Sequence, residues 1–65
     1  MKYTIKELRA RNNFTQEKLA KLAGLNPKTI NMYESSIESL RSASYKNIEK
    51  IAEVLKVQVD DIFLG

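Results

Sequence analysis

The 65-residue chain has no cysteine, no histidine and no tryptophan, and holds only two glycines and one proline. The first two absences exclude a disulfide framework, a thiol nucleophile, imidazole acid–base chemistry and every zinc site built from Cys or His. The lack of Cys also fits a reducing compartment, so a cytoplasmic location is expected. No apolar run exceeds three residues, the longest being Ile62-Phe63-Leu64, against the roughly 20 that a membrane-spanning helix needs. The first residues lack the apolar region of a signal peptide. A catalytic constellation is missing too: there is no phosphate loop and no convincing carboxylate pair, and helical spacing sets no second acid beside Glu34. Asp60-Asp61 can be read as a metal pair, but as acids at a helix N-terminus they need no cation. The expectation is a protein without cofactor or metal that is not an enzyme. A chain this short makes one domain, residues 1–65, and domains of this size bury only about 60% of the surface their unfolded chain exposes. Its stability is expected to be modest unless it dimerises.

The charge that is present is uneven. Net charge is +3 overall. Residues 1–33 hold seven bases (Lys2, Lys6, Arg9, Arg11, Lys18, Lys21, Lys28) against two acids (Glu7, Glu17), a net +5, and residues 34–65 are −2. A basic half suits a polyanionic partner. Small soluble proteins also scatter charge unevenly, so charge alone does not decide between the two.

Apolar residues recur at helical spacing nearly throughout, and alternation appears only over Val57-Gln58-Val59, so the chain reads as all-α. A first helix is expected over about residues 4–12, with Ile5 and Leu8 inward. Asn12-Asn13 interrupts it. Thr15 is a good N-cap for a second helix, Gln16 to Ala23, with Phe14 placed to staple onto Leu19. This helix is expected to bury Leu19, Leu22 and Ala23, with small Ala20 allowing a close contact and Gly24 stopping it in a left-handed conformation. After Leu25 comes Asn26-Pro27, a preferred N-cap followed by the residue favoured at the first helical position. The third helix runs about Pro27 to Glu34, with Ile30 and Tyr33 inward. The Ser-rich stretch 35–43 reads as a loop, in which Ile37 and Leu40 are spaced for one anchored turn. Ser44 caps a fourth helix with Tyr45, Ile48, Ile51, Ala52 and Leu55 on its buried face. A short fifth helix is expected over about Val59 to Phe63.

Two short helices joined by a tight Gly-containing turn, Gln16–Ala23 and Pro27–Glu34, make a helix-turn-helix. In such a unit the first helix crosses the DNA backbone and the second presents its N-terminal side chains to base edges in the major groove. Gln16, Asn26, Lys28, Thr29, Asn31 and Met32 supply suitable groups there. The chain here resembles the phage repressor and Cro-like, or xenobiotic-response-element type, helix-turn-helix regulators. The resemblance rests on Thr15-Gln16-Glu17-Lys18-Leu19-Ala20, Ala23-Gly24, Thr29-Ile30, Tyr33-Glu34, Ile48-x-x-Ile51-Ala52-x-x-Leu55 and Val59-Asp60-Asp61-Ile62-Phe63, and covers essentially all 65 residues. It implies a compact five-helix, lambda repressor-like DNA-binding domain that acts as a homodimer on a two-fold operator.

The same resemblance assigns Gln16 to phosphate contact and to bracing the recognition helix, and Asn26 to capping that helix and touching the backbone. It places Pro27, Lys28, Asn31 and Met32 at base-facing positions. Lys28 suits guanine O6/N7, and Met32 a thymine methyl. Thr29 either fixes the helix or touches phosphate, and Lys6 and Arg11 are candidates for further phosphate contacts. The chain departs from the family at Pro27, which stands where a polar base reader is common, and at Ser35-Ser36, which replaces Asn-Gly before a longer connection. Lys56 departs as well, standing where Gly commonly ends the fourth helix and so being expected at positive φ. Glu34 is expected to tie helix ends together by pairing with Arg9 or Arg11, and Tyr33 to pack in the core. The functional expectation is a sequence-specific double-stranded DNA-binding regulator, a repressor or Cro-like switch of a bacterium or phage. The alternative is an antitoxin or anti-regulator whose acidic half masks a protein partner. Ile62, Phe63 and Leu64 are the candidate dimer interface.

Overall fold

A computed structural model describes residues 2–64. Five α-helices follow one another: α1 (Ile5–Arg11), α2 (Gln16–Ala23), α3 (Pro27–Ser35), α4 (Ile37–Arg41) and α5 (Tyr45–Leu55), followed by a 3-10 turn at Val59–Asp61. Each helix starts on a side-chain cap. Thr4, Thr15, Asn26, Ser36 and Ser44 accept from the backbone N–H of Glu7, Lys18, Lys28, Ser39 and Asn47, respectively. Such caps satisfy N–H groups that the first helical turn leaves unpaired. The ends are equally local: α2 stops on Gly24 (φ 70°) and α5 on Lys56 (φ 60°), both left-handed.

α2 packs against both α3 and α5, α3 packs against α4 and α1, and the 3-10 turn lies on α5. Ile5, Leu19, Ile30, Ile51 and Ile62 are fully buried, and Leu8, Ala20, Tyr33, Leu40, Ile48, Ala52 and Leu55 complete most of the remaining core. Tyr3 and Ile62 form an isolated parallel bridge, with Tyr3 N donating to Asp61 O at 2.8 Å and Phe63 N donating to Tyr3 O at 2.7 Å. This bridge fastens the segment before α1 to the segment after the 3-10 turn. Among the described residues no helix is long and apolar enough to cross a membrane.

The helix count matches the expectation, but its membership differs. The stretch 35–43 expected as loop contains α4, because Ser36 caps it and Leu40 is driven into the core while Ile37 stays at the surface. The expected fifth helix is only a three-residue 3-10 turn, and it ends because Ile62 is extended (φ −88°, ψ 126°) to pair with Tyr3. Two inward assignments are also corrected. Leu22 is 48% exposed and Tyr45 68% exposed. Ala20 turns into the core of α2 in place of Leu22, its methyl group allowing the close approach of neighbouring helices. Tyr45 sits in the first turn of α5, ahead of Ile48, Ile51, Ala52 and Leu55, the residues with which that helix enters the core.

Candidate nucleic-acid interface

The turn between α2 and α3 is three residues, Gly24-Leu25-Asn26. Gly24 occupies the left-handed region that a residue without Cβ enters at no steric cost, and Leu25 N then bonds back to Ala20 O at 2.8 Å. Asn26 is extended, and its Oδ1 accepts from Lys28 N at 2.8 Å, so Pro27 starts α3 where its missing N–H removes no hydrogen bond. Two short helices are thereby locked at a fixed angle, with the N-terminal half of α3 left in the open.

Beneath that half runs a chain of polar contacts across three helices. The Glu34 carboxylate accepts from Arg9 Nε at 2.9 Å and Nη2 at 3.1 Å, a two-pronged pairing, and from Gln16 Nε2 at 3.2 Å. Arg9 Nη1 also donates to Phe14 O at 2.9 Å. Gln16 Oε1 in turn accepts from Asn31 Nδ2 at 3.3 Å. The Glu34 side chain is only 6% exposed and that of Arg9 18%. An ion pair held this way is well oriented, because guanidinium and carboxylate match in a planar fork. The network joins α1 through Arg9, α2 through Gln16, and α3 through Asn31 and Glu34.

An open depression at this junction is lined by Gln16, Pro27, Lys28 and Asn31 together with Arg9, Thr15 and Glu17. The structure thus gathers four of the expected DNA-contacting residues on one face. Lys28 is exposed and its ammonium makes no ion pair among the described residues. Met32 is 45% exposed, Asn26 is exposed at the helix start, and Thr29 is half-buried. Lys6 and Arg11 fall outside this group. Lys6 lines a separate depression with Tyr33, Ile37 and Phe63. The Arg11 guanidinium lies 4.0 Å from the centroid of the Tyr3 ring, a cation–π contact that holds it on the N-terminal segment.

Of the candidate dimer residues, Ile62 is fully buried in its own core and is removed from any surface, because the parallel bridge to Tyr3 turns it inward. Phe63 is 42% exposed, and Leu64 is half-buried against the core. Sequence reasoning had not placed Arg9 at the site. Its signal was the pairing proposed for Glu34 with Arg9 or Arg11, and the structure selects Arg9 because Arg11 is occupied with Tyr3. Tyr33 is buried, and its hydroxyl accepts from Asn47 Nδ2 at 3.2 Å.

Fold, turn and braced second helix together define a helix-turn-helix protein. The chain belongs to the helix-turn-helix family, whose pattern it matches over residues 5–62. It is similar to a protein of Archaeoglobus fulgidus described as an uncharacterized HTH-type transcriptional regulator, with 41% identity over 64 residues, 98% of this chain and 86% of the relative.

Proposed function

We propose that the protein is a transcriptional regulator that binds double-stranded DNA by laying α3 in the major groove. The observation that carries this reading is the Arg9–Glu34–Gln16–Asn31 network, which fixes α3 against α1 and α2 while leaving Lys28 and Met32 unobstructed. In this reading Gln16 and Asn26, with the backbone N–H groups at the two helix starts, take phosphates. Lys28, Asn31 and Met32 face base edges, Pro27 fixes the helix start between them, and Thr29 supports the helix from its side. Lys6 and Arg11 extend the phosphate contacts. The protein acts in the cytoplasm as a repressor or Cro-like switch, and as a homodimer whose two recognition helices meet successive major grooves of a two-fold operator about 34 to 36 Å apart. The domain spans residues 1–65.

Selection of bound sequences from a random duplex library tests the reading. Recovery of a two-fold motif, bound with an affinity that falls steeply as salt rises, is the expected result, because neutralised phosphates release counterions. Absent or salt-insensitive binding to every duplex overturns it. On the selected site, Lys28→Ala is expected to relax preference at one base pair, at a loss of about 1–3 kcal/mol, whereas Gln16→Ala weakens all duplexes by a similar factor. Fluorescence anisotropy on matched and mismatched duplexes separates the two patterns.

A further inference from the structure

One surface is not used by this reading. At the opposite end of α2 from Gln16, an open depression has a floor of Phe14, Leu22 and Val54 and a rim carrying Lys21, Lys50 and Lys56. α2 has eight residues, so at about 1.5 Å rise per residue its two ends lie roughly 12 Å apart. Lys21 lines this depression and Lys28 the one beside Gln16, and the two linings share no residue, although both lysines contribute to the basic half of the sequence.

Four observations describe what this face can hold. Leu22 is 48% exposed, and half-buried Phe14 and Val54 extend the apolar floor. None of the three rim ammonium groups makes an ion pair or a hydrogen bond among the described residues. Of the carbonyls near the ends of α2 and α5, Ala20 O, Lys21 O, Ala52 O and Glu53 O are already taken by the backbone N–H groups of Leu25, Gly24, Val57 and Lys56. Against three lysines the lining sets one acid, Glu53. Free positive charge around an exposed apolar floor complements an acidic segment with apolar anchors, and the open shape suits a helix laid across it rather than an enclosed small molecule.

We infer that the Phe14–Leu22–Val54 depression docks an acidic amphipathic helix of a partner protein, on a face that stays free while α3 occupies DNA. Leucine or phenylalanine side chains of that helix cover the floor, and its flanking carboxylates pair with Lys21, Lys50 and Lys56.

The test uses the full ¹⁵N-labelled chain and three synthetic helical peptides: one with Leu/Phe anchors flanked by Glu, the same peptide with every Glu changed to Lys, and the same peptide with every anchor changed to Ser. Only the first is expected to bind, moving the amide resonances of Leu22, Ala23, Val54 and Lys56 while leaving those of Gln16, Lys28 and Asn31 in place. Leu22→Asp, with its folding checked by circular dichroism, is expected to weaken that binding at least about tenfold and to leave affinity for duplex DNA unchanged. Several results overturn the inference: no binding, equal binding of the Lys or Ser peptide, or shifts centred on Lys28, which would mean that the peptide merely imitates phosphate. So do self-association of the protein that Leu22→Asp abolishes, and binding of vesicles containing phosphatidylglycerol in preference to the peptide. A duplex-binding failure of the unaltered chain would overturn the proposed function instead and leave this test standing.

Discussion

Gly24 and Lys56 end their helices in almost the same backbone geometry, φ 70°, ψ 32° and φ 60°, ψ 43°, yet one has no Cβ and the other a full side chain. A left-handed backbone costs an L-residue about 1–2 kcal/mol that glycine avoids. A Cβ at Gly24 would meet nothing within 4 Å, so Gly24→Ala isolates the backbone term and is expected to destabilise the protein by about 1 kcal/mol. Lys56→Gly should do the reverse, gaining up to about 1 kcal/mol, with part of the relief offset by the added freedom of the unfolded chain. For a domain of this size that is a rise in melting temperature of about 4–8 °C, read by circular dichroism. A second single-residue effect lies at the start of α1. The Glu7 carboxylate accepts from Thr4 N at 3.0 Å, and this backbone hydrogen bond, helped by the Thr4 hydroxyl contact and the charge of Arg11, holds its pKa below the ordinary value of 4.5. A lowered folded-state pKa gives stability that is present above the unfolded value and is lost as pH falls through the folded one. Thermal melts between about pH 6 and about pH 3 should therefore show the wild type losing more stability than Glu7→Gln, which keeps the acceptor oxygen but cannot titrate. Equal losses would assign the acid sensitivity to other carboxylates.

At the scale of elements, α4 depends on two residues. Ser36, in an extended conformation, accepts from Ser39 N at 3.2 Å, and Leu40 buries its side chain where α4 meets α3. Ser36→Ala is expected to cost about 1 kcal/mol for the lost cap, and Leu40→Ala about 2–5 kcal/mol for lost burial and the cavity left behind. A result in which Leu40→Ala is the milder of the two would mean that α4 stands on its own propensity, which a helix of five residues should not. The same contrast explains what was legible in the sequence. Thr15, Gly24, Asn26-Pro27 and Ser44 announced their helix ends because capping is chemistry between residues two to four apart. α4 was only half legible, because Ile37 and Leu40, three apart in a Ser-rich stretch, mark no more than one turn, and packing of Leu40 decides that the turn becomes a helix. Leu22 and Tyr45 were misplaced for a related reason: helical spacing marks a wide apolar stripe, but only the neighbouring helices determine which edge of it is covered. At the candidate site, that Gln16, Lys28 and Asn31 share one face could be read from the helix-turn-helix spacing, and the structure lines one depression with all three. The Arg9–Glu34 pairing spans 25 residues, so spacing could suggest it but only the fold could choose Arg9 over Arg11.

For the whole molecule, the bridge between Tyr3 and Ile62 separates two roles that the run Ile62-Phe63-Leu64 had merged. Ile62 closes the core from within, while Phe63 remains 42% exposed beside Ile37, itself 38% exposed, on a depression that also includes Tyr33 and Leu40. A domain this small has little stability to spare, and a homodimer would add buried area at such a face. Dimerisation linked to folding makes the melting temperature rise with protein concentration, because only the folded chain finds its partner. The wild type is therefore expected to melt higher at millimolar than at micromolar concentration. Ile62→Ala should lower the melting temperature at every concentration, by a core loss of about 2–5 kcal/mol, and keep the concentration dependence. Phe63→Ser should do the opposite, changing the dilute protein by no more than about 0.5 kcal/mol, as surface substitutions do, while flattening the dependence. A wild-type melting temperature that does not move with concentration would remove Phe63 from the interface and leave the domain to bind DNA as a monomer, reading one half-site.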